Sequence, residues 1–518
     1  MRGQARKQDV ARAQVGMGEG GPSDDVGVAG GLPGAGGHQP AAPDAVTDLP
    51  RLSRGLMPAP ARPLRVIQFG EGNFLRAFLD WQIQQLNRQG LFDGDVAVVQ
   101  PLPNGRAAAL EQQDRLYTVL IEGRQGGHDV HTHEVIDVIG ATIDVYAQWS
   151  RFLALADDPA AQVIVSNTTE AGIALDPADS PDGAPPASYP AKLTLLLYRR
   201  YRSGLPGFVI IPCELIEDNG GELLKAVREC ARRFQLGAEF DLWLRTRNTF
   251  CSSLVDRIVP GYPRDRDQEL WRDLGYVDEN IVATEPFMLW VIEGPAEQVE
   301  AVLPLRDAGL DVVFTDDLRP YRDRKVFLLN GPHTTMAMLG RLAGLGTVGE
   351  TITDPDFRAF IAAEMHEEIA PVVNLPETEL ERFAFEVVER FENPYSHHAL
   401  DAIALNSVAK FRARLLPVIK GNFERDGRLP ARVVAALAAL LVSYAGRGPV
   451  TVAVNDAESV RQTFDKFVDS AELVPAILRD SSLWGEDLSL IPGLVAAVQE
   501  TLDALLRDGA RAVVKSLA

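Results

Sequence analysis

Leu64-Arg65-Val66-Ile67-Gln68-Phe69-Gly70-Glu71-Gly72-Asn73-Phe74-Leu75-Arg76 joins a short apolar run to a glycine turn and the start of an amphipathic stretch. The first six residues read as a buried strand. Beyond the glycines an amphipathic stretch follows, with Phe74, Phe78, Trp81 and Leu86 apolar among Arg76, Asp80, Gln82 and Gln85. A dinucleotide pyrophosphate requires this order of elements. One glycine permits the tight turn, the next lets backbone N–H groups approach the phosphates, and the helix N-terminus adds partial positive charge. The third glycine of that fingerprint falls at Leu75, so the turn points to a cofactor through its strand–turn–helix setting rather than its glycines alone. Phe69, Gly70, Gly72, Asn73, Phe74 and Arg76 are the candidate cofactor residues here, with Arg76 expected to meet a phosphate.

From residue 62 to about 315 strand and helix patterns alternate. Asp95–Gln100, Gln162–Asn167 and Gly207–Cys213 are continuous apolar strands between helical stretches at 190–202 and 220–235. That is the pattern of a parallel sheet covered on both faces. Leu116–Glu122 and Val130–Ile139 read as an inserted hairpin. Ser166-Asn167-Thr168-Thr169-Glu170-Ala171-Gly172 follows a sheet strand at its carboxyl end, where cofactors lie in such folds, which makes Asn167, Thr168 and Glu170 further cofactor candidates. After about 325 strand signals stop, and 356–369, 377–391, 398–420, 430–445 and 456–471 read as helices. The expected fold class is therefore α/β: a Rossmann-type domain over 62–315 followed by a mostly helical domain over 316–518. Residues 1–61, rich in Gly, Pro and Ala, are expected to be a disordered extension, since they offer too little apolar surface to offset chain entropy.

At the seam stands Lys325-Val326-Phe327-Leu328-Leu329-Asn330-Gly331-Pro332-His333. A carbonyl reductase needs a proton carrier, a neutral dipole for the developing oxyanion, and a group that orients the carrier. Lysine, asparagine and histidine supply one each. On a continuous α-helix Asn330 lies ~140° from Lys325 and His333 ~80°, on one broad face. Gly331-Pro332 makes a helix starting near Asn330 as plausible as one running through it.

Bulk properties narrow the partners. A net charge of −21 and a pI near 4.9 argue against nucleic acid or an anionic membrane, so an anionic substrate must find a local cationic pocket. Three cysteines without CxxC spacing suit a reducing cytoplasm and give no zinc site. No apolar run approaches a membrane span, and the first residues lack the apolar core of a signal peptide. His131 and His133 could share a strand face as metal ligands, but flanking Gly126 and Gly127 favour a solvated hairpin tip, so no metal is expected. His366-Glu367-Glu368 lacks the second histidine of a helical zinc motif.

Taken together, these segments resemble the long-chain, metal-independent mannitol dehydrogenase family from about residue 64 to the end. The resemblance rests on Gln68–Arg76, Ser166–Gly172, Tyr189–Thr194, Asn248–Cys251, Leu254–Gly261, Glu285–Phe287 and Lys325–His333. It implies NAD(P)-linked interconversion of a ketose-type carbonyl and its alcohol, with Lys325 matching the family's catalytic base, Asn330 its oxyanion donor and His333 its substrate-orienting residue. Asp256 matches a polar active-site aspartate and Lys410 a substrate-contacting lysine. Two departures matter: Glu214-Leu215 stands where polyol enzymes carry Asp-Asn, and Ala402 where they carry an arginine. Both point to the hexuronate branch. The expected substrate is a keto-uronate, D-tagaturonate reduced to D-altronate, whose carboxylate would meet Lys410 helped by His398. The second strand ends Val99-Gln100-Pro101 without an acid for the ribose diol, and Arg106 follows, so NADP stays open, but the branch likeness favours NAD. A fructuronate or polyol reductase of the same family, and a nucleotide sensor without turnover, are the alternatives. The intact Lys–Asn–His set speaks against the sensor.

Overall fold

The computed structural model describes residues 48–168, 172–182, 185–448 and 450–518. Among the described residues there are twelve strands: β1 (Leu64–Phe69), β2 (Asp95–Gln100), β3 (Tyr117–Gln125), β4 (His128–Ile136), β5 (Ile139–Asp144), β6 (Val163–Ser166), β7 (Val209–Pro212), β8 (Thr249–Phe250), β9 (Ser252–Asp256), β10 (Val282–Thr284), β11 (Leu289–Glu293) and β12 (Val312–Thr315). Six of them form one sheet in the order β5-β2-β1-β6-β7-β8, with every pairing parallel. The chain leaves β1 for β2 on one side and returns to β6 on the other. The crevice between the carboxyl ends of β1 and β6 is thus the switch point at which such sheets bind ligands.

The sheet is apolar on both sides because both sides are covered. Val66, Val96, Val98, Val163 and Val165 face one core, while Ile67, Ala97, Val99, Ile164 and Ile210 face another that includes the helix Tyr189–Arg202. The predicted hairpin is β3-β4, extended by β10 into a three-stranded sheet, and β12-β11-β9 form a third. β9 carries Asp256 at its end, and β12 leads into the helical part.

No strand occurs among the described residues after Thr315. The helical part is built round Ala431–Tyr444, whose residues from Val433 onward are all buried, against Gly331–Leu342 and Leu494–Asp508. The helix expected over 398–420 is three pieces, Leu400–Ile403, Ser407–Arg414 and Leu416–Asp426. Asn406 breaks it with φ 53°, and Pro417 starts the third piece. The segment read as helical over 356–369 is α-helical only to Ala363 and closes in a π-helical turn, Glu364–Ile369.

The extension expected over 1–61 needs correction at its carboxyl end; residues 1–47 lie outside the described residues. From residue 48 the chain docks on the body. Leu52 is fully buried with Leu116 and Tyr276, its N–H donates to the Val277 carbonyl, and Val277 N–H donates to the Pro50 carbonyl. Arg54 donates to Asp114 and to the carbonyls of Asp137 and Ile139. Low apolar content hid this, because one leucine and a guanidinium with several acceptors suffice. Burying a leucine alone contributes about 1.5–3 kcal/mol. A chain beginning at residue 62 is therefore expected to melt measurably below one beginning at residue 48 in scanning calorimetry. Superimposable transitions would show that the 48–61 segment adds nothing.

Candidate active site

At the switch point, Gly70 has φ +115°, and a Cβ there would stand 2.8 Å from the Asn167 carbonyl oxygen. Only glycine lets the β1 turn pass under the β6 loop so closely. Gly70 N–H donates to Val99 and Asn167 N–H to Phe69, which ties the turn to both neighbouring strands. A Cβ on Gly72 would meet nothing within 4 Å, so its backbone is open to a ligand. A cleft of about 250 Å³ runs from this turn past Pro101, Leu102, Asn167, Thr168 and Ser188. Exposed backbone, a helix start and a cleft over the switch point suit a dinucleotide.

The candidate cofactor residues divide. Gly70, Gly72, Asn167 and Thr168 line the cleft. Asn73 and Phe74 do not line it: Asn73 Oδ1 accepts from Arg76 Nη2 at 2.7 Å, and Phe74 stacks on Phe78. Glu170 lies outside the described residues. Two expectations are corrected. Phe69 has no exposed surface and packs between Phe152 and Tyr189, so it shapes the floor from below. Arg76 is fully buried, donating to the Asn280 carbonyl at 2.6 Å with its guanidinium over the Tyr117 ring. It sets Asn73 and cannot reach a phosphate.

The helix Arg319–Arg324 continues without a break into a π-helical turn, Lys325–Asn330, and then into Gly331–Leu342. The open question at Gly331-Pro332 is thereby answered, and the cause is Pro332. It lacks the N–H that an α-helix would donate to Leu328, and its ring would crowd that carbonyl. A widened turn removes the conflict. Because an i→i+5 bond closes a π turn, residues five apart lie nearly above one another. Lys325 and Asn330, ~140° apart on an α-helix, are brought to one wall.

That wall belongs to a cleft of about 520 Å³, whose opposite side carries Glu214, Leu215, Ser253 and Leu254. Lys325 Nζ donates to the Val255 carbonyl at 2.7 Å and stands 3.7 Å from Asp256 Oδ1. Asp256 is held in turn by Arg390, at 2.9 and 3.1 Å, and Arg390 also grips Glu285 at 2.8 and 2.9 Å. Burial alone would raise the Asp256 carboxyl, but Arg390 and Lys325 outweigh it and hold the group below its usual range. Asp256 therefore stays an anion and keeps the Lys325 amine pointed at the cleft. Glu214, noted in the sequence only as a departure, accepts from Ser166 Oγ and from Thr168 N and Oγ1, and so joins the two clefts.

His333 is buried one turn beyond Asn330, its ring 4.6 Å from that of Phe391 and 5.0 Å from that of His398. Burial, then His398, Arg414 and Arg390, push its pKa well below the ordinary imidazole value. Burial and Lys410 also lower that of His398. The expectation that His398 helps bind a carboxylate by carrying charge is corrected: near neutral pH it offers a neutral hydrogen-bonding ring. Lys410 Nζ donates to the Ile403 carbonyl at 2.7 Å. His131, at the hairpin, pairs with Glu122 at 2.9 Å, and among the described residues no three metal-ligating side chains come together.

A family model described as the mannitol dehydrogenase Rossmann domain matches residues 64–303, and one described as the mannitol dehydrogenase C-terminal domain matches 317–506. The chain belongs to the mannitol dehydrogenase family. Within it, the chain is 44% identical over 480 residues to the altronate oxidoreductase of Enterobacter sp. (strain 638), covering 90% of this chain and 99% of that relative. The altronate oxidoreductase of Shigella flexneri is 43% identical with the same coverage. Two solved structures share the fold. The Pseudomonas fluorescens mannitol 2-dehydrogenase ternary complex with NAD and D-mannitol is 24% identical with TM-score 0.64, covering 88% of this chain and 94% of that one. D-Sorbitol dehydrogenase in substrate-free form is 21% identical with TM-score 0.73, covering 90% and 100%. The two family domains meet at the Lys325 cleft, whose walls come from β9 on one side and the Lys325–Asn330 turn on the other.

A neutral His333 has a direct check. Histidine-selective ¹⁵N spectra of the apoprotein between pH 5 and 8 are expected to keep one buried imidazole in its neutral pattern throughout, absent in His333→Gln. Titration of that ring near pH 6.5 would contradict the burial argument.

Proposed function

We propose that this protein is an NAD-dependent oxidoreductase that interconverts D-tagaturonate and D-altronate in hexuronate breakdown, with Lys325 as its acid and base. The observation that carries the chemistry is the π turn that presents the Lys325 amine and the Asn330 amide to one cleft, with Asp256 3.7 Å from the amine. Likeness to altronate oxidoreductases over 90% of the chain supports the substrate.

The residues present fit NAD: Gly70 and Gly72 would hold its pyrophosphate, and Asn167 and Thr168 would line the rest of its cleft. When bound there, NADH supplies the hydride. Asn330 donates an uncharged hydrogen bond to the substrate oxygen as negative charge develops, and protonated Lys325 delivers the proton. In oxidation neutral Lys325 takes the hydroxyl proton. Asp256 and the Val255 carbonyl hold the Lys325 side chain in place, so the carrier is aimed before substrate arrives. Neutral His333 orients the substrate without competing for its proton. Lys410 faces the carboxylate. Three free, buried cysteines, Cys213, Cys230 and Cys251, are consistent with a cytoplasmic setting.

NADH oxidation with a panel of D-tagaturonate, D-fructuronate, D-fructose and D-tagatose tests this directly. D-Tagaturonate is expected to give the highest kcat/KM by at least tenfold, and EDTA is expected to leave the rate unchanged. A higher kcat/KM on an uncharged ketose would overturn the substrate assignment. Loss of turnover in EDTA, restored by zinc, would overturn the lysine mechanism.

A further inference from the structure

Arg414 ends the helix Ser407–Arg414, one turn beyond Lys410, so both side chains leave one face. Its Nη1 donates to Thr334 Oγ1 at 3.1 Å and approaches the Asn330 carbonyl at 3.5 Å. A cation thus rests on the first turn of Gly331–Leu342, against the backbone of the residue whose amide faces Lys325.

Arg414, half-buried, has neither the carboxylate partner of Arg390 and Arg324 nor the set of carbonyls that holds Arg200. Arg390 holds Asp256 and Glu285, and Arg324 holds Glu379. Arg200 has no carboxylate but donates to the carbonyls of Pro206, Ala156, Asp158 and Ala161. Arg414 uses one nitrogen on a hydroxyl and one long carbonyl contact, which leaves most of its five N–H donors unused. Among the described residues neither Arg414 nor Lys410 forms an ion pair within 4 Å, although acidic residues outnumber basic ones 72 to 51. His333 and His398, the neighbouring rings, add donors without a negative charge. A half-buried guanidinium without an anion loses hydration that an arriving anion would replace.

We propose that Arg414 is the residue that selects sugar acids over neutral sugars. Its free edge takes the substrate's carboxylate through two parallel N–H···O bonds, with Lys410 beside it. The proposal rests on the keto-uronate reading above and deepens it. Since Arg414 also touches Thr334 and the Asn330 carbonyl, the group that anchors the acid and the group that meets the reacting oxygen share one helix start. Carboxylate binding would therefore set the register of the carbonyl against Asn330 and Lys325.

The test compares wild type, Arg414→Met and Arg414→Lys, reading kcat and KM on D-tagaturonate and the Kd of D-altronate with cofactor bound. Arg414→Met is expected to raise KM and Kd together by about 10- to 100-fold, the scale of losing a charge-assisted bidentate contact, with a much smaller change in kcat. Arg414→Lys keeps the charge but not the planar fork, and is expected to recover part of that loss. If Arg414→Met does not fold, a severalfold rise in KM and Kd for Arg414→Lys alone still supports the assignment. Unchanged Kd for both variants, or a fall in kcat with Kd intact, would overturn it and make Arg414 a clamp on the helix start; the tagaturonate activity itself would stand. A wild type that neither binds D-altronate nor reduces keto-uronates, yet reduces neutral ketoses, would overturn this inference and the proposed function together.

Discussion

Arg390 is the tie on which the site depends. It reaches from the helix Glu377–Phe391 into the α/β part and closes on two buried carboxylates, Asp256 at the end of β9 and Glu285 just after β10. Removing one partner from such a cluster typically costs about 3–5 kcal/mol, because the others are left charged and dry. The more important consequence is positional. With Asp256 fixed by Arg390, the Lys325 amine has a fixed anion 3.7 Å away and the Val255 carbonyl at 2.7 Å. The ion cluster thereby locks the two walls of the cleft to each other through the Lys325 amine.

A second constraint acts along the chain rather than across it. Pro332 removes one helical donor, the preceding turn widens, and Asn330 comes round to the side of Lys325. The helix Ser407–Arg414 instead ends before Pro417. At Pro332 the helix absorbs the conflict, and the distortion puts an amide and an amine on one cleft. π turns are uncommon and cluster at functional sites for this reason: they re-aim side chains without ending the element.

Much of this was legible in the sequence. Continuous apolar strands, a glycine turn and a change to helical patterning fixed the order of elements, since each is a local signal. Lys325, Asn330 and Asp256 were legible as residue types. What escaped depends on distant partners. Arg76 reads as a helix-start cation, and only the fold shows Tyr117 and Asn280 closing over it. Arg390 and Arg414 look like ordinary helix charges, yet each stands seven residues after a buried position, Phe383 and Ser407, and so lies on a buried stripe. An arginine on an apolar stripe is the signal that could have marked both. The docking of residues 48–61 had no such mark, because it is carried by Leu52 and backbone bonds to Val277.

The central claim is that Lys325 moves the proton, and single-turnover kinetics of Lys325→Ala test it most directly. NADH binding, read by fluorescence titration, should stay within about twofold of wild type, while the rate of NADH oxidation on mixing with D-tagaturonate should fall by roughly 10²–10⁴-fold, the usual range for deleting a positioned acid or base. Retention of more than about a tenth of the wild-type rate, with NADH bound equally well, would contradict it.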